Sequence, residues 1–315
     1  MKKTLLTICL VWMCFSLSAQ KIIDLSGKWS FSIDRQDNGE KEKWFSHTLN
    51  DCINLPGSMP EKLKGDEVTA KTQWTGSLYD SSYYYNPYME KYRKEGNIKF
   101  PFFLTPDKHY VGAAWYQKEV NIPADWKGER ILLFLERPHI ETTVWVNGQK
   151  TGMQNSLCVP HQYDITHYVR PGKCTITIRV DNRIKEINVG PDSHSITDQT
   201  QGNWNGIVGR ICLQTTPKTY FDDIQIYPEP EQKLARVKVV IKGTGTAKVK
   251  LSAESFNTDK KHIVPAIQQE IKLNKGVTET EMVLPMGNDM LLWDEFHPAL
   301  YKLKAEVTNG KKTEI

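Results

Sequence analysis

Apolar and polar residues alternate along most of the chain, and a period of two marks strands with one buried face. Trp29, Phe31 and Ile33 alternate with Ser30 and Ser32. Farther on, Trp115, Gln117 and Glu119 alternate with Tyr116, Lys118 and Val120. In residues 174–180, Ile176, Ile178 and Val180 share one face while Thr175, Thr177 and Arg179 share the other. Residues 131–135 form an unbroken apolar run, which predicts a strand buried on both faces. Residues 142–146 lead into Asn147-Gly148, a strong hairpin signal because a type I′ turn needs positive φ at both central positions. The return strand is predicted over 149–152, and a short closing strand over 211–213. The only helix-like stretch lies near Met89 to Lys94.

Around Pro217-Lys218-Thr219 the pattern restarts. Strands are predicted over 224–227, 237–241, 249–256, 267–273, 278–284 and 300–307, with Gly243-Thr244-Gly245 read as a turn between two of them. Short antiparallel strands joined by turn residues predict an all-β chain of two sandwich domains, over 20–217 and 218–315. Residues 74–110 break the period. They mix Tyr79, Tyr83, Tyr84, Tyr85, Tyr88 and Tyr92 with Phe100, Phe102 and Phe103, and read as a long aromatic insertion.

Composition narrows the function. Lys2 and Lys3 precede an apolar run and then Ser16-Leu17-Ser18-Ala19, which predicts a signal peptide over 1–19 and an exported, periplasmic or extracellular, protein. Removing it lowers the formal charge from +4 to +2, a balance that argues against a nucleic-acid partner. No other segment is apolar enough to span a membrane. Cys52, Cys158, Cys174 and Cys212 lack the clustered spacing of a zinc site, and His161, His167 and His194 form no ligand pattern, so no metal or cofactor is expected. Asp294-Glu295 and Asp222-Asp223 are adjacent pairs whose side chains point apart on extended backbone, so neither pair can flank one bond.

Several blocks resemble glycoside hydrolase family 2, of the β-galactosidase and β-glucuronidase kind. Residues 25–31, the Trp115-Tyr116-Gln117-Lys118 strand and the turn over 122–128 are similar to that family's sugar-binding domain. So are Val144-Trp145-Val146-Asn147-Gly148, Tyr163-Asp164-Ile165-Thr166, residues 172–182 and Trp204-Asn205-Gly206-Ile207-Val208-Gly209-Arg210. Leu292-Trp293 with Pro298, Leu300 and Tyr301 resembles the end of its second sandwich. The resemblance implies a jelly-roll (galactose-binding-like) domain followed by an immunoglobulin-like domain. It also implies a (β/α)₈ barrel as a further partner, carrying the two carboxylates of a retaining glycosidase. Two places depart from the family. Val208-Gly209 replace the aromatic residue expected before Arg210, and Gly202 stands where a sugar-holding acid is expected, with Asp198 nearby but out of register.

No barrel segment and no Asn-Glu dipeptide, the family's acid/base signature, occur in these 315 residues. The chain by itself is therefore expected to lack glycosidase activity, with no catalytic residue assigned. Binding chemistry remains. Aromatic rings stack on the C–H faces of sugars, and Asn, Gln and Asp side chains meet the hydroxyls. Two segments have that composition: Asp198, Gln199, Asn203, Trp204 and Asn205, and the insertion residues Tyr83, Tyr84, Tyr85 and Asn86. The expected partner is a carbohydrate, an oligosaccharide or glycoside. Three readings follow: the non-catalytic part of an exported glycosidase, a free-standing carbohydrate-binding protein, or a structural or adhesive cell-envelope module.

Overall fold

The computed structural model describes residues 21–76, 82–99, 105–185, 193, 197–198, 202–310 and 312–314. The expected signal peptide over 1–19 lies outside these, as do Tyr79, Phe100, Phe102 and Phe103 of the insertion. The chain divides into two compact units, with the first sandwich over 21–215 and the second over 216–315.

The first unit begins with β1 (Ile22–Asp24), β2 (Gly27–Asp34), β3 (Asp51–Leu55), β4 (Gly57–Ser58), β5 (Asp66–Glu67) and β6 (Lys108–His109). It continues through β7 (Ala113–Ile122), β8 (Arg130–Pro138), β9 (Glu141–Val146), β10 (Gln149–Asn155), β11 (His161–Asp164), β12 (Gly172–Asp181) and β13 (Gly206–Thr216). Six strands pair in the order β10-β9-β12-β7-β2-β3. The facing sheet runs β1-β13-β8-β11, with β4 on β13. The pairings of β1 and β4 with β13, β11 with β8, β10 with β9, β12 with β9 and β7, and β2 with β7 and β3 are all antiparallel, as in a jelly-roll sandwich.

The alternation described above sorts the side chains. Trp29, Phe31, Tyr116, Val144, Ile176 and Ile178 from one sheet meet Leu133, Leu135, Ile211 and Leu213 from the other in a single buried core. Fully burying an aliphatic side chain of this size is worth roughly 1.5–3 kcal/mol. Asn147 and Gly148 take φ of 50° and 78°, so the hairpin is the primed turn that the sequence predicts. The closing strand differs from expectation. It is an eleven-residue strand, because β13 lies inside its sheet and is held by β1 and β4 as well as β8. In the insertion, the helix-like stretch is a 3₁₀ helix over Pro87–Tyr92, preceded by one α turn over Ser82–Tyr85.

The second unit contains β14 (Tyr220–Glu229), β15 (Leu234–Phe256), β16 (Ile263–Pro285), β17 (Leu300–Asn309) and β18 (Lys312–Glu314). Here the sequence reading needs correction. The two strands expected on either side of Gly243-Thr244-Gly245 are one 23-residue strand, and so are those over 267–273 and 278–284. Gly243 and Gly245 take φ of 154° and 87°, and the pairing register shifts between them. The glycines therefore bend a continuous ladder at a bulge instead of ending it. A Cβ on Gly243 would lie 2.6 Å from Thr219 Oγ1, so the corner also needs the missing side chain. The first half of β15 pairs with β14, the second half with β17, and both halves pair with β16. Val237, Val239, Ile241, Val249, Leu251 and Val307 fill the interior. No helix among the described residues is long and apolar enough to cross a membrane.

Candidate functional site

Strand register brings several loops to one end of the first sandwich. Asp181 pairs with both Ala113 and Glu141, so the end of β12 meets the starts of β7 and β9. His139 N donates to Gly206 O and Ile140 N to Asp181 O, which adds the start of β13. The segment holding Asp198, Asn203, Trp204 and Asn205 opens onto this end.

Three of those polar side chains are buried and committed to the protein. Asn205 Nδ2 donates to Gly112 O (2.8 Å) and Val180 O (3.0 Å), and its Oδ1 accepts from the Tyr116 hydroxyl (2.7 Å). Both amide hydrogens are thereby spent. Asn203 Nδ2 donates to Thr75 Oγ1 and Asn182 O, each at 3.0 Å, and its Oδ1 accepts from Asn182 Nδ2. Asn182 completes the lattice by donating to Tyr110 O (2.9 Å) and accepting from Gly112 N (2.8 Å). The Asp198 carboxylate accepts from Thr75 N (2.6 Å) and Asn203 N (2.5 Å), with His109 Nε2 at 3.3 Å. Buried amides and carboxylates need such partners, and these bonds tie Asp198, Asn203 and Asn205 to the sheet end.

Trp204 is different. It is half-buried and stacks on the His139 ring, with centroids 4.4 Å apart and planes at 21°. Burial pushes the His139 pKa down to about 4, although a hydrogen bond with Asn203 acts in the opposite sense. Folded His139 therefore stays neutral where an unfolded histidine, at 6.5, has taken up a proton. Stability should be full above pH 6.5 and fall by about 3 kcal/mol as pH drops to about 4, then change no further from this group. Urea denaturation at stepped pH checks this, with His139→Gln as the variant that flattens the slope.

Gln199 lies outside the described residues. The insertion residues sit in a separate network. Tyr83 is buried, and its hydroxyl donates to Tyr92 O (2.8 Å) while Arg93 Nη1 donates to Tyr83 O. Asn86 caps the 3₁₀ helix by accepting from Tyr88 N (3.0 Å). Tyr84, edge-on to Tyr83, is 50% exposed and Tyr85 is 72% exposed. Among the described residues, no group of three or more His, Cys, Asp or Glu side chains is placed to hold a metal ion, and no cysteine is paired.

Sequence reasoning missed an ion network at the same end of the six-stranded sheet. Arg179 contacts Asp37 (2.6 Å), Asp181 (3.0 Å) and Glu141 (3.2 Å). Arg183 and Lys185 close on the same acids, Arg183 at 2.5 Å and Lys185 at 2.7 Å from Asp181. The spacing of Arg179 and Asp181 along an alternating strand could have signalled part of it, since residues two apart share a face, whereas Arg183 and Lys185 lie past the strand's end.

The residues 22–217 match the model of the glycosyl hydrolases family 2 sugar binding domain, and residues 219–315 match a second model of glycosyl hydrolases family 2. The chain is 24% identical to the β-glucuronidase of Homo sapiens, over 90% of this chain and 41% of that protein. It is 24% identical to the β-glucuronidase of Paenibacillus borealis, over 92% and 43%. A solved β-glucuronidase from an uncultured Clostridium sp. superimposes with a TM-score of 0.59 at 20% identity, covering 94% of this chain and 44% of that one. A Ruminococcus gnavus β-glucuronidase solved with D-glucuronic acid gives 0.58 at 18%, covering 93% and 44%. The chain thus spans less than half the length of these relatives. With two family models matched in order from residue 22 to residue 315, the chain belongs to glycosyl hydrolases family 2.

Proposed function

We propose that this chain supplies the sugar-binding and immunoglobulin-like domains of an exported family 2 glycosidase, where its loops shape the rim of a catalytic site carried by a partner barrel. The two family matches in order carry this reading. The half-exposed Trp204 ring, held by His139 over a fixed amide lattice, is the feature suited to stack on a sugar. Tyr84 and Tyr85 offer a second aromatic surface. The relatives are named β-glucuronidases, so a β-glucuronide is the substrate class to test first. Asp198, Asn203 and Asn205 then act as positioning residues.

Calorimetric titration with D-glucuronic acid tests the site. Trp204→Ala should weaken binding about tenfold while thermal melting stays intact, since one stacked ring contributes of the order of 1 kcal/mol. Unchanged affinity would remove Trp204 from the site. Sequencing the gene beyond codon 315 tests the partner: a barrel in frame supports the glycosidase reading, and its absence favours a free-standing binding protein. Export predicts that the mature protein begins at Gln20, which intact-mass measurement of the secreted form checks directly.

A further inference from the structure

The outer face of the six-stranded sheet carries a second built surface. Segment 35–50 crosses it as a strap. Asp37 fastens it to Arg179 and Glu40 to Lys150 (2.9 Å), while Trp44, Phe45 and Leu49 pack on Trp115 and Trp145. Phe45 lies flat on Trp145, with centroids 5.2 Å apart and planes at 7°. Where the strap runs beside the Asn147-Gly148 hairpin, the two leave a groove of about 300 Å³ lined by Phe45, His47, Gln117, Asn147, Gly148 and Thr175.

The groove is preformed. Asn147 Oδ1 accepts from Thr175 N (3.0 Å), Asn147 Nδ2 donates to Tyr168 O (3.1 Å), and Asn147 N donates to Thr175 O (2.8 Å), so the hairpin wall cannot swing. Gln117 is buried, and its Nε2 donates to His47 O and Thr177 Oγ1, both at 3.1 Å. Its carboxamide oxygen is left as an oriented acceptor. Thr175 supplies a half-buried hydroxyl that can both donate and accept. Space is open beside Gly148, where an added Cβ would meet nothing within 4 Å. No carboxylate, lysine or arginine lines the groove.

An aromatic wall, fixed uncharged hydrogen-bonding groups and a pocket at the small end of ligand-site sizes fit one pyranose ring, with its apolar C–H face and hydroxyl rim. A uronate or phosphate would lose its hydration there without meeting a lysine or arginine. The groove also lies at the far end of the strands from the Trp204 loop. Asp181 and Thr175 are six residues apart on β12, which is roughly 20 Å of strand. We propose that this groove is a subsite for a single neutral pyranoside, separate from the Trp204 loop and independent of the reading given above for that loop.

The test is an amide chemical-shift titration of the ¹⁵N-labelled full chain with methyl β-D-glucopyranoside and methyl β-D-galactopyranoside, with methyl β-D-glucuronide in parallel. One neutral glycoside should give saturable shifts at His47, Gly148 and Thr175, and the glucuronide should bind there at least about tenfold more weakly. Thr175→Val removes the hydroxyl but keeps strand propensity, and should weaken the neutral glycoside about tenfold, whereas Trp204→Ala should leave these shifts alone. Absence of saturable shifts at those amides with both neutral glycosides overturns the proposal. Equal binding of the glucuronide, or loss of the shifts in Trp204→Ala, overturns it as well.

Discussion

Asn205→Ala is expected to destabilise the first sandwich by about 4 kcal/mol and lower its melting midpoint by roughly 10 °C. Asn205 is fully buried, and its side chain joins three elements: Gly112 before β7, Val180 in β12 and the Tyr116 hydroxyl in the core. Alanine would strand two carbonyl oxygens and one hydroxyl without water, each costing about 1–3 kcal/mol, and partial collapse of the site would recover some of that. Asn205→Asp keeps the shape but replaces both donors, so it should be no milder. Thermal melts followed by far-ultraviolet circular dichroism read both variants. A shift in Asn205→Ala no larger than that of an ordinary surface substitution would mean that the lattice tolerates water at this depth.

Asp181→Ala is expected to cost about 3–5 kcal/mol, because it leaves three cations facing the space of a deleted buried anion. The Asp181 side chain is fully buried and meets Arg179, Arg183 and Lys185. Burial by itself would raise its pKa. Hydrogen bonds from Arg183 and Lys185, with the Arg179 charge, more than offset that and hold the carboxyl far below the ordinary range. A depressed carboxyl contributes stability above its unfolded pKa of 3.8 and loses it only as pH falls toward the folded value. The network therefore survives the mildly acid window in which His139 weakens the fold. Urea titrations of Asp181→Ala at pH 7 measure the cost. Parity with the native protein would mean that Asp37 and Glu141 alone neutralise the three cations.

Much of this architecture is legible in the residues. The period of two in 29–33, 115–120 and 174–180 fixes which side chains enter the core, and Asn147-Gly148 fixes a hairpin. What was missed follows from how signals add along a chain. Gly243-Thr244-Gly245 carries turn chemistry, but turn residues also serve a bulge, and only the partner β16 decides which. The apolar run at 211–213 understates β13, because Gly209 and Arg210 are exposed and carry no apolar signal, while its pairing partners lie far away in sequence. The candidate site was half legible. Amide-rich composition marked the loop, yet composition does not say whether an amide faces a ligand or a buried carbonyl, and Asn203 and Asn205 face carbonyls. Trp204, His139 and the Arg179 network come together through contacts across long sequence separations that no local pattern encodes.

The two long strands of the second unit have a further implication. Because β15 and β16 each run past the glycine corner, one ladder carries β14 on its first half and β17 on its second. Peeling one half away would pull on the same hydrogen-bonded spine that carries the other, so the two halves are expected to open together. The corner thus lies within a backbone that both halves share, and it couples the persistence of one half to that of the other.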